Sequence, residues 1–291
     1  MEETPDNFTM MSPAPVKVEL TKGLCLIYKN PEIEKGDYPA SRIQKGLMLV
    51  HENKDLSEEG IGFGVPVLKF GHETVFPGNA CVTTEKDGDT AVVRIDYDMN
   101  LVERMVVKSR KRIGSKAFYK IKEYFSRLHR EYPQFRRILV RSSNSLRHTC
   151  DIETRFEKVA SAGMASVVNT INTRNGMIHV SVDMSNVKKE GRTEVNIMNE
   201  LGANHFDSYS DSNGLFLRRN AIGTWDEIFA DEASFIDSYD NIAFTLKKVK
   251  GARMFRGREL VESRLAWSGL AYVLPPNIIH FAYDIRIGRL A

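Results

Sequence analysis

The chain has 291 residues, 42% hydrophobic and 27% charged, and its 41 Lys and Arg against 38 Asp and Glu leave a formal charge of +3. These are ordinary proportions for a globular protein, and a chain of this length buries a large core without staples, so neither the composition nor the small net charge points to a particular partner. No stretch approaches 18 apolar residues, and the three cysteines (Cys25, Cys81 and Cys150) form no CxxC pair, which sets aside a membrane-spanning helix, a zinc ribbon and a thioredoxin-type site.

Residues 1–15 open with Glu2, Glu3 and Asp6 and have neither a basic start nor an apolar core, so they read as a mobile tail rather than a secretory signal. The expectation that follows is a soluble, cytoplasmic protein with inert thiols. Residues 16–20 and 24–28 flank Lys22-Gly23 as a hairpin. Residues 61–70 form an apolar run interrupted by Gly62, Gly64 and Pro66, which predicts a strand with a bulge or bend. Residues 76–84 and 90–97 alternate around Lys86-Asp87-Gly88-Asp89, and 101–108 continues the meander. One helix is predicted over 115–132. Ser115 caps it, Phe118, Ile121, Phe125 and Leu128 make its stripe, and Tyr132-Pro133 ends it.

Segments 137–140, 152–159 and 165–171 then lead to the clearest period-2 pattern, residues 177–184. There Ile178, Val180, Val182 and Met184 share one side, and His179, Ser181 and Asp183 share the other. Val195 and Ile197 repeat the pattern with Asn196 opposite, and 215–217, 243–249, 265–274 and 278–285 complete the strands. Roughly 14 to 16 strands, one helix and no alternation of strand with helix predict a mainly β chain. The expected fold is a large, supersandwich-like antiparallel β-sandwich spanning 16–291, with the helix packed on a sheet.

No Walker A loop, GxGxxG turn, HExxH or GxSxG motif is present, so no cofactor or metal is called for. Four weaker features remain. The first is a polar side built from Glu153, Arg155, Asn169, His179, Ser181, Asp183, Asn196, Asn199, Glu200, Asn204, His205 and Asp207. It is rich in the residue types that hydrogen-bond polyhydroxylated ligands, and a solvated sheet face with turn-forming Asn and Asp explains it equally well. The second is His205 and Asp207 with Glu200 nearby in a loop-like segment, a spacing that suggests a shared ion but completes no ligand set. The third is the basic segment 104–147, where fourteen Lys and Arg meet two Glu for a local charge of +12. The fourth is Glu58-Glu59 followed by alternate glycines at 60, 62 and 64, explained by a tight strand crossing or by a ligand's close approach.

The first feature points to a carbohydrate-active or carbohydrate-binding protein. Sugar epimerases, mutarotases and polysaccharide-cleaving enzymes offer a parallel at the level of fold alone. For lyase, epimerase or hydrolase chemistry, His179 is the expected acid or base, with Asp183, Glu153 or Glu200 as its carboxylate. Arg155 would hold an anionic group, Asn196, His205 and Asp207 would bind hydroxyls, and Trp225 or Trp267 would stack on a ring. Two alternatives stand beside it: a non-catalytic assembly subunit that pairs basic and acidic faces in a homo-oligomer, and a polyanion or nucleic-acid binder using 104–147.

Overall fold

Alternation of apolar and polar side chains commits most of this chain to strands, and the computed structural model describes residues 16–21, 23–28, 42–57, 60–71, 73–107, 152–261 and 264–290. The tail, the helix over 115–132, the strand over 137–140, Glu58-Glu59, Cys150 and nearly all of the basic segment lie outside the described residues. The first strands are β1 (Val16–Thr21), β2 (Leu24–Tyr28), β3 (Met48–His51) and β4 (Lys54–Asp55), followed by β5 (Gly62–Phe70) and β6 (Glu73–Phe76). Next come β7 (Asn79–Asp87), β8 (Thr90–Asp98), β9 (Leu101–Val107), β10 (Ile152–Lys158), β11 (Gly163–Asn172) and β12 (Met177–Val187). Then follow β13 (Arg192–Gly202), β14 (Phe206–Asp211), β15 (Phe216–Arg218), β16 (Thr224–Ile228) and β17 (Glu232–Asp237). The last are β18 (Ile242–Lys247), β19 (Arg253–Val261), β20 (Arg264–Leu274) and β21 (His280–Arg289).

The result is a mainly β, antiparallel sandwich. An eight-stranded sheet in the order β10-β9-β6-β5-β13-β20-β19-β16 packs on a nine-stranded sheet in the order β15-β14-β17-β18-β21-β12-β11-β8-β7. Strands β1 to β4 make a smaller sheet, tied to β5 by a bridge between Leu47 and Phe63. One apolar core runs through all three sheets. Ile178, Val180, Val182 and Met184 point into it, as their spacing predicts, and meet Val195 and Ile197 of the opposite sheet. Ring contacts cross between the sheets, with Phe63 and Phe244 centroids 5.5 Å apart and Tyr272 and Tyr283 centroids 4.8 Å apart. Asn199 also spans them: its Oδ1 accepts a hydrogen bond from the Tyr283 hydroxyl at 2.7 Å and from the Gly64 N–H at 3.1 Å.

Several elements depart from the sequence reading for identifiable reasons. The expected strand over 76–84 is two strands. The chain leaves the eight-stranded sheet at Pro77-Gly78, where proline has no N–H for a ladder, and enters the nine-stranded sheet as β7. Pro66 is tolerated inside β5 because β6 pairs only with Leu68–Phe70, so at Pro66 the ladder continues on the β13 side. The alternate glycines answer to backbone crossing. A Cβ on Gly60 would lie 2.6 Å from the Glu200 carbonyl oxygen, and one on Gly62 would lie 2.7 Å from that of Leu47. Strands β3, β4, β14, β16, β17 and β19 were not expected; β14, β16 and β19 carry acidic, hydroxyl or arginine side chains on both sides, and β3, β4 and β17 are short. Asp207 accordingly sits in a strand, and only His205 occupies a turn.

Candidate functional site

Strand parity and register gather Glu200, Trp225 and Trp267 on the outward face of the eight-stranded sheet. On β19, Met254 is buried in the core between the sheets, so Phe255 and Gly257 face outward. On β20 the same holds for Trp267 and Gly269, which flank buried Ser268. Gly257 pairs with Gly269, and Gly269 pairs with Glu200 of β13, so a carboxylate and two glycines form one row across three strands. Glu200 itself is buried, at 6% exposure, with its Cγ only 3.0 Å from where a Gly269 Cβ would stand.

The two glycines make a floor for aromatic rings. A Cβ on Gly257 would lie 2.7 Å and 2.9 Å from two ring carbons of Trp267 and 3.5 Å from Trp225. Trp267 therefore lies against bare backbone, and any side chain at 257 would lift it. Trp225 arrives from β16 at a register shift: Thr224 pairs with Gly257 and Asp226 with Arg256, which leaves Trp225 as the extra residue of a bulge. Its φ is +127°, a region that costs a side-chain-bearing residue of order 1–3 kcal/mol and persists only where surrounding structure enforces it. Trp225 stacks on Phe255 (centroids 5.5 Å, planes at 15°) and meets Trp267 nearly at right angles (6.4 Å, 85°). Both indoles are half-buried. The arrangement is a two-walled aromatic corner with a solvent-accessible side.

Charge stands beside this corner. The Arg253 guanidinium lies 4.9 Å from the Phe255 centroid and forks onto Glu227, Nε to Oε1 at 2.8 Å and Nη2 to Oε2 at 2.7 Å. These hydrogen bonds hold the Glu227 carboxyl below its usual range against the opposing effect of partial burial.

The remaining expected residues are elsewhere. His179 and Asp183 lie on the outward face of the nine-stranded sheet, each with its own partner on β21. His179 Nδ1 is 2.8 Å from Asp284 Oδ1, and His280 Nδ1 is 3.4 Å from Asp183 Oδ1. The Asp183 carboxyl is lowered chiefly by the Ser185 backbone N–H that donates to it. Glu153 and Arg155 are on β10, four strands from β13 in the eight-stranded sheet, with Arg155 exposed and in register with Arg104. Asn169 and Asn199 point into the interior rather than onto a polar face, and Asn196, on the Glu200 side of β13 but four residues away, is buried with its Nδ2 donating to Glu194 at 3.2 Å. His205 Nδ1 is 3.8 Å from buried Asp237. Asp207 accepts hydrogen bonds from Ser208 and Ser238; partial burial pushes its carboxyl up, but these hydroxyls and Arg219 outweigh that and leave it below its usual range. Among the described residues, no group of three or more His, Cys, Asp or Glu gathers as a metal site, and no helix is long and apolar enough to cross a membrane.

Gly257, Gly269, Phe255, Glu227 and Arg253 escape a reading of the sequence. The one local signal is Gly269, two residues after Trp267.

No protein-family model and no curated protein sequence matches this chain. Its fold is similar to part of an α-N-acetylgalactosaminidase from Bifidobacterium bifidum. The quadruple mutant of that enzyme matches with a TM-score of 0.50 and 9% identity over 94% of this chain and 36% of that one. The GalNAc complex gives 0.48 and 8% with the same coverage. A 4-α-glucanotransferase from Thermococcus litoralis gives 0.43 and 13%, over 97% of this chain and 38% of that one. The chain thus spans little more than a third of the structures it resembles, and identities this low speak to fold alone.

Proposed function

We propose that this chain is a carbohydrate-binding β-sandwich whose ligand sits in the Trp225–Trp267 corner. The observation that carries the reading is the strained, bulged backbone at Trp225, which sets one indole perpendicular to a second across a glycine floor. A pyranose presents a C–H face to an aromatic ring and hydroxyls around its rim, so it needs flat apolar walls with a few polar groups beside them. The corner supplies the walls, and the Arg253–Glu227 pair supplies charged donors and acceptors. A fold shared with part of a glycosidase agrees with this reading without carrying it.

The chain holds only two tryptophans, both in this corner, so intrinsic fluorescence reports on the site directly. Titration with GalNAc, galactose, glucose and short oligosaccharides should give a saturable change in emission. Trp267→Ala, with Trp225 left as reporter, should abolish it, and His179→Ala should leave it intact. Absence of any sugar response, or a response that survives Trp267→Ala, overturns the proposal.

A further inference from the structure

Strand β16 continues past the corner. Glu227 lies opposite outward-facing Phe255, Ile228 is buried in the core, and Phe229, one residue beyond the strand, is 74% exposed. Trp225 and Glu227 both lie against outward-facing Phe255, and Phe229 follows two residues after Glu227, just past the end of the strand. An exposed Phe alone means little. This one follows the corner along the chain, two residues beyond the hydrogen-bonded Glu227–Arg253 pair. Four residues of extended chain span at most about 13 Å, more than a single pyranose covers. Each Glu227 oxygen receives one N–H from Arg253, leaving acceptor capacity on both, and the Arg253 side chain is 60% exposed.

Resting on the carbohydrate reading above, we infer that the ligand is an oligosaccharide chain rather than a single sugar, lying along β16. One ring occupies the Trp225–Trp267 corner, the hydroxyls of the following unit meet Glu227 and Arg253, and a more distant ring stacks on Phe229.

The test is fluorescence titration of the full chain and of Phe229→Ala with three ladders: malto-, cello- and chito-oligosaccharides, each from monomer to hexamer. In at least one ladder the affinity should rise about tenfold between the monomer and the longer members, the worth of one added aromatic platform. Phe229→Ala is a surface change that leaves the corner in place. It should bind the monomer as the natural chain does and lose the tenfold gain. Binding independent of length, or a length gain that persists in Phe229→Ala, overturns the oligosaccharide track and leaves the corner standing. No response to any member of the three ladders removes the corner and the track together.

Discussion

Replacing Gly257 with alanine puts a single methyl group where the structure leaves none. That carbon would sit 2.7 Å from the Trp267 ring, whereas carbon atoms settle at about 3.5–4.0 Å, so the ring must lift by roughly 0.8 Å or more. Overpacking of this kind costs about 1–3 kcal/mol. Alanine returns about 0.5–1 kcal/mol by ordering the unfolded strand less expensively than glycine, because the backbone at 257 lies outside the left-handed region. The net expectation is a destabilisation of about 1 kcal/mol, small enough to leave the protein folded. The optical effect should be larger than the energetic one. Both tryptophans share the corner, so a displaced Trp267 opens both to water and shifts the emission maximum to the red. Gly288→Ala is the matched control: nothing lies within 4 Å of its Cβ position and its φ is not positive, so emission should stay unchanged. Emission spectra and urea midpoints of the two variants decide the matter. A Gly257→Ala protein with the natural spectrum and midpoint would refute the seating of Trp267 on the glycine floor.

Asn199→Ala strips buried partners from the Tyr283 hydroxyl and the Gly64 N–H, and should cost about 2–4 kcal/mol in urea denaturation; Tyr283→Phe removes one bond and should cost about 1 kcal/mol. Arg192 is buried and donates through Nε to the Pro276 carbonyl (2.6 Å) and through Nη2 to that of Ile278 (2.8 Å). Arg192→Lys cannot fork in this way and should lose about 1–3 kcal/mol, with faster amide exchange in the turn before β21. Because Arg253 keeps the folded-state Glu227 carboxyl below its usual range, the pair stabilises at neutral pH and ceases to do so as the pH falls through that lowered value. The stability gap between the natural chain and Arg253→Met should therefore be present at neutral pH and close in acid, and a gap that widens in acid would contradict the assignment.

Strand existence was legible in long alternating segments such as β12, whose four inward residues are all buried, whereas the short strand β3, mostly apolar and largely buried, was missed. Strands β14, β16 and β19 were illegible because acidic, hydroxyl or arginine side chains fall on both of their sides, and β17, which does alternate, was missed because it is only six residues long. Partnership was illegible for a different reason. His179 finds Asp284, 105 residues away, because β12 pairs with β21, and nothing in the local pattern encodes that pairing. Glu200 and Trp267 share a face for a like reason, through the pairing of Glu200 with Gly269. Both tryptophans were expected to stack on a ring. What makes them a corner is the pair of glycines beneath, and an absent side chain leaves little trace in a composition-based reading.

The kink at Trp225 has a second outcome. Among the described residues β16 ends its sheet, and a terminal strand offers unpaired amides to any passing chain. A bulge breaks the even spacing that an intruding strand would need, and β15, which ends the other sheet nearby in sequence, is only three residues long. The distortion that displays an indole thus also denies that rim to fibril-like growth. Straightening it to relieve Trp225 would take the indole out of the corner and leave an evenly spaced border, so one awkward peptide sets both features.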